Sequence, residues 1–383
     1  MSAAETRTPA TGACTQCRRR SWLLWQLSGP LDYLARDRGR LSAVLALPDA
    51  ELIQAAGGSR RNELCVQYES LADNPNADAE HTEACFCRHH RSYPAALSDA
   101  GAPALLYSTG SVRALLALLA KPMVAIVGSA MPSDYGIAMA GALGRGLARS
   151  GVTVIAVIGD GVAVAALAGA LRGAGAPLAI AGHGLRVPPA IRHRHLRRDV
   201  AAAGCVVSEL TPECQARRWG AIAAERILAR LAVVTVVVEA EDSPAELAVA
   251  CMAQMHGSTL AAVPGRVTSP LSSGANALLA QGARLIRDTA DVLELLSENE
   301  DPQTPLPTPG GDQHGVTLTD RLQDVLDQVG AGRDTPARLT VAGSDDAGVL
   351  LALTELEVIG LLTRGAGGRY VPTEPCTRPT RYQ

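Results

Sequence analysis

From Val124 onward the chain repeats one unit: a short apolar run, a glycine-bearing turn, then an amphipathic stretch. That alternation is the signature of βαβ construction. Val124-Ala-Ile-Val-Gly128 reads as a strand, residues 135–149 as a helix, 153–158 as a strand and 162–172 as a helix, with further strands over 178–181, 205–208, 233–239 and 259–263. These strands are continuously apolar rather than alternating, which requires burial on both faces. The predicted fold class is therefore α/β: a Rossmann-like, doubly wound, mostly parallel sheet.

At 383 residues the chain exceeds one ordinary domain. Residues 1–103 read as a small, separate, mainly helical module carrying cysteine clusters, with helices over 22–34, 41–47 and 49–56; residues 104–296 hold the doubly wound domain. Residues 297–315 contain four prolines and little that is apolar, which marks a linker. Helical periodicity over 318–329 and 347–359, then a hairpin pairing 360–364 with 368–371, make residues 316–374 winged-helix-like; 375–383 is a tail. With one Phe and 3% aromatic residues, the core must be assembled from Ala, Val and Leu.

The net charge of −3 excludes a polycation, so any contact with nucleic acid needs a local patch. Arg186, Arg192, His193, Arg194, His195, Arg197 and Arg198 form one, followed by Arg217 and Arg218; a solvated helix face gives the same pattern. No secretion signal is legible at the N-terminus, and the most apolar stretch, 152–171, is broken by Gly159-Asp160-Gly161. A cytoplasmic chain without a membrane span is expected.

Gly128-Ser129 ends the first strand and leads into a helix, where backbone N–H groups and the positive helix end attract phosphate. Gly159-Asp160-Gly161 has Val164 in place of a third glycine and a carboxylate that opposes phosphate, so no nicotinamide or flavin cofactor is expected. His183 lies on a turn at a strand end, and Glu209 at another, as a ligand contact, a helix cap or an arginine partner. No catalytic constellation assembles, so an enzyme is not expected. Among nine cysteines, Cys14-x-x-Cys17 has the spacing of a zinc half-site, and Cys85-Phe-Cys87-Arg-His89-His90 supplies further candidates. The sequence leaves zinc open there and assigns no metal; Cys65, Cys205, Cys214, Cys251 and Cys376 read as isolated thiols.

The stretch Val124-Ala-Ile-Val-Gly-Ser-Ala-Met-Pro-Ser-Asp-Tyr-Gly136 resembles the opening of the DprA/Smf family of DNA-processing proteins. Ala262-Val-Pro-Gly-Arg-Val-Thr-Ser-Pro-Leu-Ser-Ser-Gly-Ala-Asn276 and the following Leu-Leu-Ala-Gln-Gly-Ala283 resemble its closing run, with Tyr93-Pro94, Gly182-His-Gly184, Ser208-Glu209, Arg217-Arg-Trp219 and Val237-Val-Glu-Ala240 in family order. The resemblance implies a protein that binds single-stranded DNA, hands it to a RecA-type recombinase during natural transformation, and forms a homodimer. It places DNA and phosphate contacts on Gly128, Ser129, Ser133, Tyr135, Gly136, Gly161, Gly182, Gly184, Arg217, Arg218, Arg226, Gly265, Ser273, Gly274 and Asn276.

The chain departs from the family where DNA should touch. Ala130 replaces an arginine, Ala224-Glu225-Arg226 replaces Arg-Asn-Arg, and Pro244-Ala-Glu-Leu-Ala-Val-Ala250 replaces a Ser-Gly-Ser run. An eroded DNA site follows, with a scaffold that no longer binds DNA as the alternative. A nucleotide phosphoribohydrolase is a third reading; Glu239, Glu241 and Glu246 lie near the right place, but the Pro-Gly-Gly-x-Gly-Thr motif it needs is absent.

Overall fold

The computed structural model describes residues 13–71, 84–90, 93–99, 101–215, 217–300, 320–330, 335, 336, 339, 346–358, 362–364 and 369–372. The chain divides into two compact units, Met1–Thr304 and Pro305–Gln383.

In the first unit, five helices come first: α1 (Thr15–Gln26), α2 (Ser28–Leu34), α3 (Arg38–Leu45), α4 (Asp49–Ala56) and α5 (Arg61–Ser70). Strands β1 (Ala84–Cys87) and β2 (Leu105–Ser108) and helix α6 (Val112–Leu119) follow. Then strands and helices alternate: β3 (Met123–Val127), α7 (Asp134–Arg149), β4 (Thr153–Val157), α8 (Val162–Arg172), β5 (Leu178–Ile180), α9 (Arg194–Ala203), β6 (Cys205–Ser208), α10 (Arg218–Leu231), β7 (Val234–Val237), α11 (Ala248–Met255), β8 (Thr259–Ala262), α12 (Ser273–Ala280), β9 (Arg284–Leu285) and α13 (Thr289–Glu300). The strands form one sheet in the order β1-β2-β6-β5-β4-β3-β7-β8-β9. Pairing is parallel from β6 through β9, whereas β2 runs antiparallel to both β1 and β6.

The sheet is buried on both faces, as the unbroken apolar strands require. Val124, Ile126, Val154, Val234 and Val236 pack under α7 and α13 through Leu143, Leu147, Val292 and Leu295. On the other face, Met123, Ala125, Ile155, Leu178 and Ile180 meet Leu115 of α6 and Ala224, Ile227 and Leu228 of α10. With few bulky side chains available, α7 and α8 touch through their backbones: a Cβ at Gly144 would lie 2.2 Å from the Ala166 carbonyl oxygen, and one at Gly169 2.3 Å from that of Gly141.

Two expectations are corrected. The N-terminal helices are not a separate module: Leu23, Leu27, Leu31, Leu41 and Leu52 share a core with Leu210, Trp219, Ile222 and Ala223 of the doubly wound region. Strands β1 and β2 extend the sheet itself, so no domain boundary falls at residue 103. Helix α13 also runs to Glu300, past residue 297 where the linker was expected to start.

In the second unit, α14 (Asp320–Gly330) and α15 (Asp346–Val358) precede an antiparallel hairpin, β10 (Leu362–Arg364) with β11 (Tyr370–Pro372), in the register Leu362↔Pro372. Leu322, Val325, Val329, Leu353, Leu356, Leu362 and Tyr370 form its core. Gly360, Leu361, Gly368, Cys376, residues 301–315 of the expected linker and the tail lie outside the described residues. Among the described residues no helix is long and apolar enough to cross a membrane.

Candidate nucleic-acid interface

Strand order reverses between β3 and β7, and the crevice above their carboxyl ends is where doubly wound sheets place ligands. The Gly128-Ser129 turn sits there, with Ser129 held by backbone bonds on both sides. The Ser129 N–H donates to the Glu239 carbonyl at 2.5 Å, and the Ser129 carbonyl accepts from Val162 N–H at 3.1 Å. Gly161, at φ +65°, fits so closely that a Cβ would meet the Ser129 oxygen at 2.3 Å. Ser129 is 4% exposed.

The positive end of α7 is occupied by the chain's own anion. Glu239, 3% exposed, accepts the Ser133 N–H at 2.8 Å on one carboxylate oxygen and the Ser133 hydroxyl at 2.7 Å on the other. Ser133 caps the helix by accepting Gly136 N–H, and a Cβ at Gly136 would collide with the Glu239 carboxylate. A phosphate entering here would have to displace a buried carboxylate that uses the helix end as phosphate would. Turn and cap thus form an internal latch, because Glu239 lies one strand away on β7's carboxyl side.

The closing run is likewise structural. The Asn276 side chain both accepts Gly265 N–H and donates to the Gly265 carbonyl, each at 3.1 Å. Ser273 Oγ donates to the Pro270 carbonyl and accepts Asp242 N–H, while Gly274 N–H donates to the Ala240 carbonyl. The motif pins the loop after β8 against α12 and the end of β7. The Tyr135 hydroxyl donates to the Pro264 carbonyl at 3.1 Å, closing one side of a cleft of about 880 Å³ that Ser133, Asp134, Glu239, Arg266, Thr268 and Ser272 also line. The Tyr135 ring remains 47% exposed at its mouth.

The cations sort sharply by partner. Arg226 is 3% exposed and ion-paired to buried Glu209, which makes it a strut of the core. Glu225, beside it, pairs with Arg38 of α3. Arg192 makes two 2.7 Å bonds to Asp160, and Arg197 donates to the Leu185 and Val187 carbonyls. Arg186 pairs with Glu213 and Arg198 with Asp199. Arg194, Arg217, Arg218 and Arg266 are exposed, and among the described residues their side chains show no ion pair. Gly182 and Gly184 serve close backbone packing, against Gly220 and against the Thr211 and Pro212 carbonyls. Burial holds the His183 imidazole below its ordinary pKa, and its Nδ1 faces the Gly184 carbonyl at 3.0 Å.

Arg266 is the residue that sequence reasoning passed over. It lies inside the recognised closing run, where the glycines and serines drew attention although they fasten the loop. Arg226 carried a legible warning: it falls four residues after Ile222 and three after Ala223, on the helix face that is buried.

The family model described as DNA recombination-mediator protein A matches residues 84–297. The chain belongs to this family. A Mycobacterium tuberculosis protein named as the DNA processing protein DprA is 31% identical over 277 residues, covering 70% of each chain. The X-ray structure of DNA processing protein A from Streptococcus pneumoniae superposes with a TM-score of 0.58 at 25% identity, over 72% of this chain and 97% of that one. The Helicobacter pylori protein, whose structure concerns single-stranded DNA binding, shares the fold with a TM-score of 0.50 at 22% identity, over 58% of this chain and 98% of that one. The family is one of DNA-processing recombination mediators rather than catalysts.

Proposed function

We propose that the chain binds single-stranded DNA without sequence preference along the carboxyl edge of its sheet, through exposed arginines and not through the glycine turn. The observation that carries this reading is where four exposed arginines that show no ion pair among the described residues, Arg194, Arg217, Arg218 and Arg266, sit. Arg194 opens α9 after β5, Arg217 and Arg218 open α10 after β6, and Arg266 follows β8, so all four leave carboxyl ends of parallel strands. From β6 to β8 this edge spans five strand spacings, roughly 24 Å. Guanidinium groups in such a row contact phosphates, and Tyr135 at the cleft mouth offers a face on which a base stacks.

Membership of a recombination-mediator family supports a further step, transfer of the bound strand to a RecA-type recombinase by a homodimer. The second unit, with two helices and a hairpin, is read as a winged-helix-like domain. The test is fluorescence anisotropy with a labelled oligo-dT at low salt. Saturable binding that is lost when Arg194, Arg217, Arg218 and Arg266 become alanine supports the reading. No binding at low salt favours the scaffold, and pull-down of a recombinase in the absence of DNA then identifies it.

A further inference from the structure

We infer that Cys14, Cys17, Cys87 and His89 form a structural zinc site. Their ligand atoms, three Sγ and one imidazole nitrogen, all lie within 4.8 Å of one another. Cys14 Sγ and Cys17 Sγ stand 3.1 and 3.4 Å from His89 Nδ1. A tetrahedral zinc with bonds of about 2.3 Å to sulfur and about 2.0 Å to nitrogen places its ligands roughly 3.5–3.8 Å apart, so small side-chain shifts complete the shell.

The ligands come from two segments that the sheet edge brings together. Cys14 is the N-cap of α1, Cys17 lies in that helix's first turn, Cys87 ends β1 and His89 is on the turn after it. Cys17 and Cys87 are buried, among Ala13, Ala104, Leu105 and Tyr107. All three cysteines are free thiols, so no disulfide explains their convergence. The Cys14 N–H donates to Cys87 Sγ at 3.5 Å, the kind of backbone contact that orients a ligating thiolate. A pocket of about 380 Å³, bordered by Gln16, Arg20, Tyr68 and Arg88, opens onto Cys17 and His89 and gives the metal an entry path.

Four protein ligands leave no open coordination position, which makes the site structural and not catalytic. Three sulfurs and one imidazole in tetrahedral array suit zinc. Bound there, the ion ties α1 to β1, and so fastens the N-terminal helices to the sheet. Cys85 and His90 lie outside the cluster, so of the candidates in that segment only Cys87 and His89 ligate.

The experiment is metal analysis of the full chain, expressed with zinc supplementation and purified without a metal-affinity step. About one zinc per chain is expected, kept by Cys85→Ser and lost in Cys17→Ser and His89→Ala. Because those two losses can also follow from misfolding, His89→Cys provides a gain: it keeps one metal. Cobalt replacing zinc gives a tetrahedral visible spectrum, and the sulfur-to-cobalt charge-transfer band rises by about a third in His89→Cys, from three thiolates to four. Zinc below about half an equivalent, iron in its place, or a cobalt form without the tetrahedral band overturns the assignment.

Discussion

Replacing Glu239 with glutamine removes the charge from the α7 latch while keeping its shape. The new amide oxygen can still accept the Ser133 N–H, now 2.8 Å from one carboxylate oxygen, and the amide nitrogen can donate to the Ser133 hydroxyl that at present donates to the carboxylate. What is lost is charge assistance in two bonds, about 1 kcal/mol each, and the attraction of a buried anion for a helix N-terminus, about 0.3–1 kcal/mol. The expected cost is therefore about 2–3 kcal/mol, or a fall of roughly 3–5 °C in the thermal midpoint of the first unit. Calorimetry of wild type, Glu239→Gln, Ser133→Ala and the double variant isolates the pair. Ser133→Ala alone forfeits the cap, about 1 kcal/mol, and a direct contact predicts non-additivity of about 1 kcal/mol in the double variant. A midpoint shift under about 1 °C for Glu239→Gln, or effects additive within about 0.3 kcal/mol, would refute the latch and return the helix end to the list of open anion sites.

Arg226→Met leaves Glu209 buried without its partner and is expected to cost about 3–5 kcal/mol, much of it recovered in the Arg226→Met/Glu209→Leu double variant; urea unfolding checks both. Arg287 donates to Asp291 from its side chain and its backbone N–H, holding that carboxyl at about 2 against an ordinary 3.8. Since the folded value is the lower one, the pair's contribution is present in full above about pH 5 and is lost as pH falls through 3.8 toward about 2. Carboxyl NMR of Arg287→Ala should show the Asp291 midpoint moving back toward 3.8; an unmoved midpoint contradicts the assignment.

The parallel core was legible because burial on both faces forces unbroken runs such as Val124-Ala-Ile-Val127 and Cys205-Val-Val-Ser208. Strands β1 and β2 escaped because Ala-Cys-Phe-Cys and Leu-Leu-Tyr-Ser are four residues each and carry no hairpin signal between them. Docking of the N-terminal helices was invisible for another reason: it depends on Leu210, Trp219 and Ile222, which are distant in sequence and apolar for no reason evident locally. At the site, glycines and serines were correctly located at strand ends, but sequence cannot tell a glycine that admits a phosphate from one that admits Glu239. Nor can it tell which arginines already have carboxylates: Asp160 claims Arg192, and Glu209 claims Arg226, across 32 and 17 residues.

The slope of DNA affinity against salt bears most directly on the arginine edge. Four arginine–phosphate contacts on a single strand predict a log–log slope of about −2.8, a loss of roughly 50-fold between about 50 and 200 mM salt. Alanine at Arg266 alone should flatten the slope to about −2.1, and alanine at Arg194, Arg217, Arg218 and Arg266 together should remove the salt dependence with the binding. A slope unchanged in that fourfold variant would contradict the account and place the strand elsewhere on the protein.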